Sequence, residues 1–195
     1  MKKNITIFIW FIILLYSNLI SFSQVEIIEK LVYNSYSIIP FQYDFEGVIV
    51  GGISGIENFE TNKYLLISDA PRESKATIFN VNIEILEDTV KWFFNNKMIF
   101  KEKNVRPESI RKNKKTDEFY ITDERSEISY FSIFDWKKKG RTKKLFKVKH
   151  IVNNGLEGFC FDNDFTNAFL SIEMLKRDDS MTVITEYNLE TKKNN

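Results

Sequence analysis

Arg106-Pro107-Glu108-Ser109-Ile110, followed eleven residues beyond its last member by Ile121-Thr122-Asp123-Glu124 (121 − 110 = 11), is the middle one of three similar passages. Upstream, Ser54-Gly55-Ile56 leads to Ile67-Ser68-Asp69. Downstream, Glu157-Gly158-Phe159 leads to Leu170-Ser171-Ile172-Glu173, and the step between apolar anchors is again the same (67 − 56 = 11, 170 − 159 = 11). The passages lie 54 and 49 residues apart (110 − 56, 159 − 110), the period expected when each repeat is one four-stranded propeller blade. A blade cannot bury both faces of its sheet alone, so blades stack about an axis and equivalent loops converge at one end of a central channel.

The residues around these passages have strand character. Eighteen Phe and eight Tyr fall with β-branched residues into short runs: Tyr64 to Ile67, Thr77 to Ile85, Glu118 to Thr122, Ile128 to Phe134, Ala168 to Ile172 and Met181 to Asn188. Asn58 to Asn62, Lys112 to Asp117 and Asp162 to Asn167 supply turns, because Asn and Asp tolerate left-handed backbone and bond their own chain. Asp162-Asn163-Asp164 lacks the glycine and distal glutamate of a calcium-binding loop and reads as an ordinary turn. A weak helical period near Ile27 to Val32 also fits a strand. The expected class is all-β, a propeller of four-stranded blades with about three blades present and therefore open. A closed ring needs about four to eight blades. The chain is accordingly expected to be a truncated product or fragment, or else to close by pairing with another copy through its open blade edges.

Residues 1–23 read as a signal peptide: Lys2 and Lys3 precede an apolar run from Ile5 to Tyr16, and Ser21-Phe22-Ser23 offers a cleavage site before Gln24. The apolar run is short for a bilayer span of about 20 residues, although an uncleaved anchor stays open as the alternative. Residues 24–195 form the propeller portion, expected to be exported to the periplasm or secreted, without stable membrane association once cleaved. Without Lys2 and Lys3 the chain carries 28 − 2 = 26 basic against 27 acidic residues, a balance that gives no support to nucleic-acid binding. The basic stretch Lys137 to Lys149 contains Gly140 and then Leu145, Phe146 and Val148, and reads as a solvated hairpin. Cys160 is the single cysteine, so no internal disulfide forms. Flanked by Phe159 and Phe161, it is expected as a small buried hydrophobe. His150 is the single histidine and has no serine and carboxylate at a recognisable spacing, which leaves a histidine triad or histidine-ligated zinc without support.

Six segments in order, Gly51-Gly52-Ile53-Ser54-Gly55-Ile56, Leu66-Ile67-Ser68-Asp69, Arg106-Pro107-Glu108-Ser109-Ile110, Thr122-Asp123-Glu124-Arg125, Asn153-Asn154-Gly155-Leu156-Glu157-Gly158-Phe159 and Ile172-Glu173, resemble the phytase-like domain family. The resemblance implies a β-propeller with esterase-like activity, whose domain continues past Asn195. Members often carry a further acidic residue where this chain has Ala70.

If the repeated loops meet at one end of the channel, Asp69, Glu108, Asp123, Glu124, Glu157 and Glu173 place several carboxylates in a small volume, which is unfavourable without a cation. A hard ion with oxygen ligands, calcium first and magnesium second, resolves the conflict and polarises a phosphoryl or acyl oxygen. Glu108 and Glu157 are the candidate catalytic residues, since each is followed by a small residue that leaves space beside it. Arg72, Arg106 and Arg125 are candidates for holding the substrate. Gly51, Gly52 and Gly55 precede no helix and no Lys-Ser or Lys-Thr pair, so they do not make a nucleotide loop. Ser54 lacks the context of a nucleophile elbow. The expected function is metal-dependent hydrolysis of a small phosphate or related ester, phosphoric before carboxylic. The alternatives are a non-catalytic propeller that binds a ligand or protein, and a non-functional truncated fragment.

Overall fold

The computed structural model describes residues 36–40, 42–69, 75–136, 140–150, 154–173 and 182–194. The chain separates into two units, Met1–Asn34 and Ser35–Asn195. The first unit, with the expected leader and the Ile27 to Val32 stretch, lies outside the described residues, as do Arg72, Ala70 and Met181.

All regular structure among the described residues is β. Fourteen strands run β1 (Asp44–Phe45), β2 (Val48–Ile49), β3 (Ile53–Glu60), β4 (Lys63–Ser68), β5 (Thr77–Ile85), β6 (Val90–Ile99), β7 (Arg106–Asn113), β8 (Glu118–Arg125), β9 (Ile128–Asp135), β10 (Arg141–Lys149), β11 (Leu156–Phe161), β12 (Asn167–Ile172), β13 (Val183–Asn188) and β14 (Lys193–Asn194). They form one two-stranded ribbon, β1-β2, and three four-stranded antiparallel sheets in sequential order: β3 to β6, β7 to β10 and β11 to β14. Each repeat read from the sequence is therefore one meander blade. The first strands stand side by side, β3 against β7 and β7 against β11, the arrangement of inner strands in an open, propeller-like array.

Turn chemistry follows the sequence in two of three inner hairpins. Asn62 (φ 59°) and Asp117 (φ 58°) take the left-handed positions of the β3-β4 and β7-β8 turns. In the third the left-handed residue is Phe165 (φ 55°). Asp162 holds this turn, its carboxylate accepting from the backbone of Thr166 at 2.8 Å and Asn167 at 3.1 Å, and the Phe165 ring packs on Phe161.

Alternation along each strand sends one face to the preceding layer and one to the following. Leu65, Ile67 and Ile78 of the first blade meet Ile110, Phe119, Ile121 and Phe134 of the second. Tyr120 and Phe131 on the opposite face of the second blade meet Leu156, Phe159, Leu170 and Tyr187 of the third. Val48 and Val50 cover the rear of the first blade at Leu66, Phe79 and Val81. Each fully buried side chain of this kind contributes roughly 1.5–3 kcal/mol of transfer free energy. The same alternation corrects the expectation for Cys160. Phe159 turns inward and Cys160, its neighbour on β11, is exposed.

Ladder register also corrects one anchor of the repeat. Ile110 pairs with Ile121 and Phe159 with Leu170, but Ile56 pairs with Leu66 rather than Ile67. The first step is therefore ten residues (66 − 56), because the β3-β4 turn is tighter and the register shifts between Asn58 and Glu60. With Leu66, Ile121 and Leu170 aligned, the acids Asp69, Glu124 and Glu173 each lie three residues further on (69 − 66, 124 − 121, 173 − 170).

Candidate active site

A β-bulge recurs in the inner strand of every blade. Pairing passes from Ile53↔Ser68 to Gly55↔Ile67 in the first, leaving Ser54 out, and from Pro107↔Asp123 to Ser109↔Thr122 in the second, leaving Glu108 out. In the third it passes from Leu156↔Ile172 to Phe159↔Leu170, so that Glu157 and Gly158 face Ser171 alone. A bulge bends its strand and re-aims the extra side chain. Ser54, Glu108 and Glu157 are thus equivalent residues, each turned out of the ladder at the same end of its blade. The strand-end acids sit opposite: Asp69 N donates to Gly52 O at 3.0 Å and Glu173 N to Gly155 O at 3.0 Å, the same contact two blades apart.

The inner strands approach closely here. A Cβ on Gly55 would lie 3.1 Å from Ser109 Cα, so only glycine fits without displacing the backbone of β7. Ser54 Oγ donates to Pro107 O at 2.5 Å and Thr122 Oγ1 to Glu157 O at 3.2 Å, fastening each bulge to its neighbour.

Five carboxylates share one field. Burial pushes the Glu108 carboxyl up to about 7, and the charges of Glu157, Asp69 and Glu124 push the same way against Arg106. Burial likewise raises Glu157, helped by Glu173 and Glu124 and again opposed by Arg106. Arg106 reaches Glu124 only at 3.9 Å. Glu124 is 2 % exposed, and its Oε1 is buried without a hydrogen-bond partner. A donor set made of carboxylates suits a hard divalent ion, and an orphaned oxygen on Glu124, whose charge bears on both Glu108 and Glu157, is the observation that fits one. In the arrangement seen, no three such side chains among the described residues stand close enough together to share an ion.

Asp123 and Arg125 lie elsewhere. Adjacent residues of a strand point to opposite faces, so Asp123 turns away from Glu124 and takes both ends of the Arg125 guanidinium, at 2.6 Å and 3.3 Å. Arg125 also holds Glu102 at 2.6 Å and lies over the Tyr130 ring. Burial pushes Glu102 up, but the hydrogen bonds from Arg125 and Thr142 prevail and hold it low. This ion pair ties the β6-β7 connection to β8.

Two groups of residues escaped the sequence reading. A cleft of about 1300 Å³ beside the acids is lined by Asp69 and Arg106 together with Lys75, Lys101 and Lys103. These lysines follow no repeat and carry no spacing signal. The second group is a buried line: Ser129 Oγ lies 2.8 Å from His150 Nε2, and His150 Nδ1 lies 3.8 Å from Glu124 Oε1. Serine and carboxylate neighbours of His150 therefore exist in space, at separations of 21 and 26 residues (150 − 129, 150 − 124) that mark no sequence pattern. Ser129 is fully buried and its Oγ accepts from Leu156 N at 3.1 Å, so no substrate carbonyl can reach it.

No curated protein and no solved structure matches the chain significantly. The family model for phytase-like proteins, described as esterase-like activity of phytase, matches residues 48–195, which include all three blades and every acid of the cluster. With the repeated bulges and inner-strand acids that the six segments carry, the chain belongs to the phytase-like family.

Proposed function

We propose that the acidic end of the three-bladed array is a hydrolase site for phosphate or related small esters, in an exported protein. The supporting observation is convergence: successive blades deliver Glu108 and Glu157 from bulges, and Asp69, Glu124 and Glu173 from strand ends, into one field.

Glu108, Glu124 and Glu157, with Asp69 and Glu173 at the margin, would hold a hard divalent cation, calcium first and magnesium second. Such an ion supplies positive charge that polarises a phosphoryl or acyl oxygen. The chain supplies the rest. Arg106 and the lysines of the neighbouring cleft draw in an anionic ester and orient it, which favours phosphate over neutral carboxylic esters. Hydrolysis adds water across the ester bond, so a base must take a proton from the water and the leaving oxygen must gain one. Glu108, half-buried and raised to about 7 while no cation offsets its neighbours, would stand ionised beside a bound ion and can then take the proton of the attacking water and return it to the leaving oxygen. Asp123 and Arg125, locked to each other, position the second blade's loop in this reading.

The test is hydrolysis of p-nitrophenyl phosphate and p-nitrophenyl acetate with and without calcium. Chelation, Glu108→Gln and Glu157→Gln are each expected to lower phosphatase turnover by about 10²-fold or more. Turnover that survives all three would sink the assignment. The rival reading is a binding propeller without turnover, in which the cationic cleft lined by Arg106, Lys75, Lys101 and Lys103 receives an anionic ligand. It predicts thermal stabilisation by phosphate esters with no product formed.

A further inference from the structure

We propose that His150 is a positioning residue that holds Glu124 in the acidic cluster, and that Ser129 fixes its ring and couples it to the strand bearing Glu157. The proposal rests on reading the cluster as a cation site, but its geometry is independent of that reading.

The hydrogen bonds around Ser129 favour one tautomer of the ring. Ser129 is fully buried, with Oγ bonded to Leu156 N–H at 3.1 Å and lying 2.8 Å from His150 Nε2. The backbone amide can only donate, so it occupies one acceptor position of the hydroxyl. The hydroxyl hydrogen then needs an acceptor, and Nε2 stands at the right distance. A ring that accepts at Nε2 carries its proton on Nδ1. Nδ1 is the atom turned toward Glu124 Oε1, the buried carboxylate oxygen that lacks a hydrogen-bond partner. At 3.8 Å the contact is too long for a hydrogen bond but places an N–H dipole beside the orphaned oxygen. The other oxygen faces Arg106 at 3.9 Å.

The line therefore runs from Leu156 N–H through Ser129 and His150 to Glu124. Leu156 directly precedes Glu157 on β11. The strand-end acid of the second blade is thereby referenced to the bulge acid of the third, across the blade boundary. Gly155 is required for this. A Cβ there would lie 2.1 Å from Ser129 Oγ and 2.7 Å from His150 Nε2, inside both atoms. Outer partners of this kind set ligand orientation, and removing one typically weakens metal binding about 10- to 100-fold.

His150 is the one histidine of the chain, so imidazole ¹⁵N NMR reads it without ambiguity. In the cation-free protein the spectrum is expected to show Nδ1 protonated and Nε2 unprotonated. Ser129→Ala is expected to move the Nε2 resonance and Glu124→Gln the Nδ1 resonance. Protonation at Nε2, or an Nδ1 resonance indifferent to Glu124→Gln, overturns the proposal. Calorimetric calcium titration supplies the second arm. His150→Gln, whose amide reaches the Nε2 position, is expected to weaken binding about 10-fold or more. His150→Asn, which keeps a donor near the Nδ1 position, is expected to restore most of it. Equal affinities in His150→Gln and wild type, with both folded by circular dichroism, also overturn it. Wild-type protein that binds neither calcium nor magnesium overturns the cation reading alone, and the NMR arm still decides the tautomer and its coupling to Glu124.

Discussion

Glu108 carries the electrostatic tension of the site. Its carboxyl, raised from 4.5 to about 7 first by burial and then by Glu157, Asp69 and Glu124, binds its proton more tightly in the folded protein than in the unfolded chain. For a group shifted upward, the stabilising contribution is complete below the unfolded value and is lost as pH rises through the folded one. In the presence of chelator, wild-type stability is therefore expected to decline between about pH 4.5 and pH 7. Glu108 is only half-buried, so solvent screening reduces the effect to on the order of 1 kcal/mol. Glu108→Gln removes the titrating group and keeps the shape. Urea denaturation at pH 8 is expected to find the variant more stable than wild type by that amount, and at pH 4.5 about equal. A variant no more stable than wild type at pH 8 would mean that neither burial nor the other acids press on Glu108. A similar conflict was readable in the sequence from the recurrence of acids at matching points of three repeats. That Asp123 faces away from Glu124 was also within reach, since two adjacent strand residues point to opposite faces. The line joining His150 and Ser129 to Glu124 was not legible. These residues come from beyond the end of β10, from β9 and from β8, and meet only because the sheet folds back between them.

At the scale of the strand, the bulges depend on how closely β3 and β7 approach. Ala at position 55 would set its Cβ 2.9 Å from Ile67 Cγ2, 3.1 Å from Ser109 Cα and 3.3 Å from Ile110 N. Two of those atoms are backbone in a paired strand, so relief requires the blades to part. Gly55→Ala is expected to cost roughly 1–3 kcal/mol of stability. Gly158 makes the control, because a Cβ there meets nothing nearer than Ser171 Oγ at 3.5 Å. Gly158→Ala is expected to fall within about 0.5 kcal/mol of wild type. Equal losses in the two variants, by denaturant titration, would show that inner-strand approach is not what Gly55 provides. The strands read from sequence coincide closely with β4, β5, β8, β9 and β12, because apolar runs bounded by polar turns mark them. The long strand β6 was not recognised. Its burial pattern swings between intermediate and exposed, and Asn95 and Asn96 interrupt it where the β5-β6 register slips beside Val81. The bulges themselves were hidden because a bulge is a property of two paired strands, and the one-residue slip in the first blade concealed the equivalence of its acid.

At the scale of the array, the three blades are equivalent on their rear faces and unequal on their forward faces. Register aligns Leu65, Tyr120 and Phe169 at one forward position and Ile78, Phe131 and Ile184 at another. The first two members of each set are at most 4 % exposed because a following blade covers them, whereas Phe169 is 36 % and Ile184 is 70 % exposed. At the other end the rear of the first blade is closed by Val48, Val50 and Phe45. Among the described residues, the forward face of the third blade is therefore left uncovered, although it is built to the same pattern as faces that are buried one and two blades earlier. Exposed apolar sheet surface of this kind drives association. Ile184→Lys is expected to leave the unfolding free energy within about 0.5 kcal/mol of wild type while reducing concentration-dependent self-association in sedimentation velocity. Phe131→Ala, at the equivalent covered position, is expected to cost about 3–5 kcal/mol. If Ile184→Lys destabilised the monomer as severely as Phe131→Ala, the forward face of the third blade would already be covered within the chain. Self-association as strong in Ile184→Lys as in a self-associating wild type would place the contact elsewhere, leaving the outer edges of the blades as the surface that joins copies.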